Sequence, residues 1–169
     1  MRTVSNTILV CLFGLLPVQF SIAQTSGSGV DEVIIEKVRE TELKHRISES
    51  GVITFTFSVE EDRTQAVLLF GKVNTSFSTD YMTIISRVLL VDKSRFDNRV
   101  AFDLLKKNWN YTNWSWQIKE EESTGKVYVY LGTSVPVNTA AVKLYRILNN
   151  LAQEADRIEK QLTENEDAF

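Results

Sequence analysis

The sequence predicts an α+β fold, an antiparallel sheet packed by helices in the order α-β-β-β-α-β-β-α. Three observations lead there. Residues 52–59 alternate, with Ile53, Phe55, Phe57 and Val59 on one side and Thr54, Thr56 and Ser58 on the other, the pattern of an antiparallel strand with one wet face. Residues 114–120 and 126–131 form another pair of alternating runs around a polar turn, Glu121-Glu122-Ser123-Thr124-Gly125. Near the end of the chain, Ala141, Leu144, Leu148, Leu151, Ala155, Ile158 and Leu162 recur at alternating spacings of three and four, the apolar stripe of one long helix. Strands that outnumber helices and pair as hairpins define the α+β class.

The elements follow in order. Residues 31–48 are rich in helix formers, with Asp31, Glu32 and Glu36 early and Val30, Val33, Ile34 and Val38 on one stripe. This predicts a first helix ended by Ser50-Gly51. After the strand at 52–59, Glu60-Glu61-Asp62-Arg63 is a turn. Residues 66–73 are apolar on both faces and predict a central strand. Residues 74–80 connect to a third strand at 81–91, rich in β-branched residues. Ser94, with Asp97 three residues on, predicts the cap of a second helix ending near Asn108, with Phe96, Val100, Ala101, Leu104 and Leu105 as its apolar face. In the hairpin that follows, Trp114, Trp116 and Ile118 share a face, as do Val127, Val129 and Leu131. Asn138 is the expected cap of the last helix, which runs to about Thr163. Its stripe faces either its own sheet or a dimer seam. The sheet is the better partner, because an apolar sheet face must be covered and few helices exist to cover it.

Residues 1–23 read as a secretory signal peptide: Arg2, an apolar run from Ile8 to Leu16 broken at Pro17, and small residues Ser21 and Ala23 before Gln24. The run is too short to span a bilayer, which takes about 20 residues, so no membrane span is expected after cleavage. Residues 24–30 are a flexible leader, 31–163 a single domain, and 164–169 an acidic tail. Cleavage removes 23 of the 169 residues and leaves 146, with 18 basic and 22 acidic side chains and a net charge of -4. That balance argues against a nucleic-acid partner. Cleavage also removes Cys11, the only cysteine, which leaves no disulfide, thiolate nucleophile or cysteine-ligated metal.

The order of elements resembles the type III secretion chaperone-like fold. Residues 52–162 are similar to the YbjN family, described as bacterial sensory transduction regulators. The resemblance rests on the helix leading into Asn108-Trp109-Asn110, on the hairpin Trp116-Gln117-Ile118 with Gly125-Lys126-Val127-Tyr128-Val129, and on Leu151-Ala152-Gln153-Glu154-Ala155-Asp156 in the closing helix. It implies a binding or chaperone-like role without an active site. The export signal is a departure, since type III chaperones act in the cytosol.

The residues themselves point away from catalysis. His45 is the only histidine and sits in the polar run Glu42-Leu43-Lys44-His45-Arg46, expected on a solvated helix surface. The acid runs Glu60-Glu61-Asp62 and Glu120-Glu121-Glu122 fall at hairpin turns, where carboxylates are solvated, and neither has the spacing of a calcium loop. The seven glycines are scattered and form no phosphate loop. No catalytic, cofactor or metal residues are expected. The densest unusual feature is aromatic: residues 108–116 hold all three tryptophans, and Tyr128 and Tyr130 point away from Val127 and Val129. These aromatics are either core anchors at a helix-to-strand junction or a docking surface, because Trp and Tyr bury large area at small entropic cost. Trp109, Tyr111, Trp114, Tyr128 and Tyr130 are the candidate partner surface. The expected function is an exported, non-enzymatic protein-interaction module that binds a polypeptide partner or itself. The alternative is a small-ligand or glycan binder that uses the aromatic junction.

Overall fold

The computed structural model describes residues 29–111 and 113–163. The signal segment 1–23, most of the leader and the tail 164–169 lie outside the described residues. The fold is α+β, with helices α1 (Glu32–Glu40), α2 (Asn98–Asn108) and α3 (Ala141–Thr163). The strands are β1 (His45–Ile47), β2 (Val52–Ser58), β3 (Thr64–Phe70), β4 (Asn74–Ser76), β5 (Thr79–Asp92), β6 (Ser115–Glu121) and β7 (Lys126–Pro136). All pairings are antiparallel, in the order β1-β2-β3-β5-β7-β6, with β4 paired to the start of β5.

The alternation of β2 sets which side it buries. Ile53, Phe55 and Phe57 face the core, and the register Ile53↔Leu69 and Phe55↔Val67 carries the same face into β3. Ile84 and Met82 continue it in β5, and Val127, Val129 and Leu131 in β7. The pairing shifts between Arg87 and Leu89, a bulge at which Val88 is also fully buried. Ile34 and Val38 of α1, Leu104 of α2 and Leu144, Leu148, Leu151, Ala155 and Ile158 of α3 complete one apolar cluster with these strands. The stripe of α3 therefore faces its own sheet. Two buried polar side chains are satisfied inside this layer: Gln65 Nε2 donates to Ser86 Oγ at 2.9 Å, and Ser86 Oγ donates to Ala66 O at 2.7 Å. Thr54, Thr56, Leu68, Arg87, Tyr128 and Tyr130 lie on the opposite face.

Several expectations are corrected. The first helix stops at Glu40 rather than 48. Thr41 Oγ1 donates to Val38 O at 2.6 Å, and Glu42 takes a left-handed φ of 57°, the post-helix position that glycine usually fills. The chain then pairs with β2, Arg46↔Thr54. Ile47 belongs to this strand and Leu43 to the loop before it, and His45 lies on a strand, not a helix. The connection 74–80 contains β4. Phe77 and Ser78, with φ of 48° and 60°, form the two-residue turn of a tight hairpin without the Asn-Gly signature. The sheet thus has two short strands beyond the five expected. The run 66–73 is an interior strand, but it ends at Phe70 and only one of its faces is covered. Gly71 ends it where a Cβ would sit 2.3 Å from Gly51 O, so the β1–β2 and β3–β4 turns touch through backbone.

The second helix is capped by Asp97, not Ser94. Asp97 Oδ1 accepts the Arg99 N–H at 2.8 Å, while Ser94 lies in a separate 3-10 turn, Lys93–Arg95. Asn138 is not the cap of α3, because the first carbonyl to accept helical bonds is that of Ala140, from Lys143 and Leu144.

Candidate functional site

α2 carries more apolar surface than the sheet can take. Leu104 is buried, and Val100 and Ala101 are half-buried. Leu105, expected on the same buried face, points outward and is 59% exposed; Phe102 is 60% exposed and Trp109 is 93% exposed. Positions 102, 105 and 109 are separated by three and four residues, so they line up as one ridge along the helix. Lys106 Nζ lies 4.4 Å from the centroid of the Phe102 ring, a cation–π contact that fixes the ring's orientation for about 0.5–1 kcal/mol at an exposed site. Arg99, Lys106 and Lys107 make this helix basic against the single acid Asp103. Its C-terminal end is clamped to the edge of the sheet: Trp116 N–H donates to Asn108 Oδ1 at 2.6 Å, and Asn108 Nδ2 donates to Trp116 O at 3.2 Å. The Asn108 amide stands where another strand would pair, so the ridge is held rigidly while the edge of β6 is blocked at that point.

The five aromatics expected to form one surface occupy three places. Trp109 belongs to the α2 ridge. Tyr111 and Trp114 turn back against α3 and pack on each other with ring centroids 6.2 Å apart. Tyr111 donates its hydroxyl to Glu154 Oε1 at 2.5 Å, and Arg157 donates through Nε and Nη2 to the same carboxylate at 2.8 and 2.6 Å. Burial, followed by the carboxylate at its hydroxyl, pushes the Tyr111 phenol up. Burial acts to raise Glu154, but Arg157 and the phenol together outweigh it and hold the carboxyl below its usual range. Tyr128 and Tyr130 stack on the open sheet face, rings 5.9 Å apart and nearly parallel at 3°. Tyr128 donates to Glu121 Oε2 at 3.1 Å, and this bond raises its phenol.

Phe102 lies outside the 96/100/104 stripe of α2, and that misfit was the signal available for the ridge. Phe77, fully exposed at the β4–β5 turn, had no such signal, because nothing in its neighbours marks a two-residue turn. His45 Nδ1 hydrogen-bonds Leu43 O at 2.9 Å, and its ring tilts on Phe55 with centroids 6.0 Å apart.

These features define an α+β protein with helices on one face of an antiparallel sheet and a rigid apolar ridge on its second helix. No family model and no curated protein matches the chain.

Proposed function

We propose that the chain is an exported, non-enzymatic module, related to the YbjN family, that binds a polypeptide along the α2 ridge. One observation carries this reading: Phe102, Leu105 and Trp109 are 60%, 59% and 93% exposed on a single stripe of an anchored helix. Apolar side chains scattered singly over a surface need no explanation, whereas an aligned row does. A row at this spacing complements an apolar helical face, and the cations Arg99, Lys106 and Lys107 favour a partner segment with acidic flanks. A second copy would bring the same basic helix against itself. Export rests on the residue pattern of the first 23 positions. Among the described residues no helix is long and apolar enough to cross a membrane.

The test is a photo-crosslinking amino acid at position 109, with position 56 on the open sheet face as control, followed by mass analysis of adducts from the exported fraction. An adduct at 109 with an acidic, helix-forming segment, lost on Leu105→Asp while circular dichroism stays unchanged, is the expected result. Adducts no more frequent at 109 than at 56 would refute the reading. A homodimer adduct would keep the ridge and remove the acidic partner.

A further inference from the structure

A cleft of about 330 Å³ lies between the first half of α3, the end of β7 and the segment preceding β6. It is on a different helix from the α2 ridge and is independent of it. Lys143, Arg146 and Asn150, spaced by three and four residues along α3, form one wall with Ile147; Asn113 and the Trp114 ring line it from across. Among the described residues no carboxylate lines the cleft, and neither Lys143 nor Arg146 makes an ion pair. The side-chain amides of Asn113 and Asn150 likewise make no hydrogen bond there. The neighbouring Asn113 carbonyl is held by Thr133 Oγ1 at 2.5 Å, so that rim is positioned by the sheet.

We propose that this cleft binds an acidic sugar, a pyranose ring bearing a carboxylate. The polar parts of such a ligand meet groups that make no other ion pair or side-chain hydrogen bond, and its apolar face meets an indole and an aliphatic side chain packed on the core. The carboxylate meets Arg146 and Lys143, whose charge-assisted bonds are the strong ones. Ring hydroxyls, each both donor and acceptor, match the amides of Asn113 and Asn150, which offer both functions. The apolar C–H face of the ring covers the indole of Trp114 and Ile147, the mix of apolar wall and few polar groups found in small-molecule sites. An inorganic anion would use the cations alone and leave indole and amides idle. A neutral sugar would leave both cations unpaired. The volume lies at the small end of ligand sites, which limits the ligand to one or two rings.

Titration calorimetry of the full chain with digalacturonate, with digalactose as neutral control and sulfate as anion control, decides the matter. Saturable binding of digalacturonate, weaker by roughly tenfold or more for digalactose and on Arg146→Ala, is expected from loss of one charged hydrogen bond. Arg146 is exposed, so its variant keeps the fold, and circular dichroism checks this. The indole N–H resonance of Trp114, assigned by its absence in Trp114→Phe, should shift with digalacturonate and not with sulfate. No saturable heat up to about 10 mM, equal affinity for digalactose, full-affinity binding by Arg146→Ala, or sulfate binding as tight as digalacturonate would each overturn the proposal.

Discussion

Phe55 is 1% exposed and packs between Ile53 and Phe57 on the core face of β2, while Thr56, the next residue, is exposed on the other face. Because side chains alternate with period 2, a one-residue slip would exchange them. Phe55→Ala is expected to cost about 3–5 kcal/mol by leaving a cavity, and Thr56→Ala about 0.5 kcal/mol or less. Equal losses in urea melts would show the register to be different. Asp31 acts at the same scale through charge. It precedes α1, but its carboxylate reaches β4's approach, accepting the Val73 N–H and Lys72 Nζ at 2.9 Å each. The Val73 bond first, then Lys72, hold this carboxyl below its ordinary 3.8. A depressed folded value favours the charged form, so the contribution is present above 3.8 and is lost as pH falls through the lower folded value. The stability gap between the wild type and Asp31→Asn should therefore be open at neutral pH and close in acid below the ordinary value. A gap independent of pH would refute the assignment.

At the scale of elements, the turn after β2 is tied to α3 by charge. Arg63 Nε donates to Asp156 Oδ1 at 2.8 Å, and its Nη2 lies 3.4 Å from Glu159 Oε1. Both carboxylates are buried, at 3% and 1% exposure, and Lys160 Nζ approaches Asp156 at 3.7 Å. Two acids one helical turn apart beside an apolar stripe are tolerated because the guanidinium meets both. Arg63→Met would remove the guanidinium shared by the two buried carboxylates, at a cost of about 3–5 kcal/mol. Adding Asp156→Leu and Glu159→Leu should restore much of that loss, since the buried charges are then gone. A thermal melt in which Arg63→Met matches the wild type would show that the network carries no such role. The same α3 shows why its acids at 156 and 159 escaped the heptad reading: they flank the stripe, and only the turn packed over them makes them interior.

For the whole molecule, the decisive contact is the α3 stripe against β3, β5 and β7. Leu148 is fully buried there. Leu148→Asp places an unpaired charge in the core, so the monomer should unfold, read as lost ellipticity with light scattering on the same sample. A folded species of half the wild-type mass would instead assign the stripe to a dimer. The opposite sheet face has Tyr128, Tyr130, Leu68 and Arg87 half-exposed, so the molecule has one dry side and one wet side. Function, as proposed, belongs to the helix layer's own outer surface.

The sequence by itself determined the elements whose burial is periodic: β2, β7 and α3, where each buried residue announces the next at two, three or four positions, and with them the α+β class. Tertiary structure decided what has no local period. β1, with two polar residues and Ile47, and β4, with three polar residues, are too short to carry a period and exist only because β2 and β5 offer them a ladder to join. The switch from Ser94 to Asp97 as cap follows from where the preceding 3-10 turn leaves the chain. Leu105 and Phe102 are apolar residues on a helix that has two apolar sides, and local pattern says which residues share a side but not which side finds a partner. The sheet accepts the Leu104 side alone, since β6 and the Asn108 clamp set the helix's rotation, and the other side is left in water as the ridge. The aromatics disperse for the same reason. Trp109, Tyr111 and Trp114 lie within six positions of one another, but long-range contacts with Glu154 and α3 draw Tyr111 and Trp114 in and leave Trp109 outward.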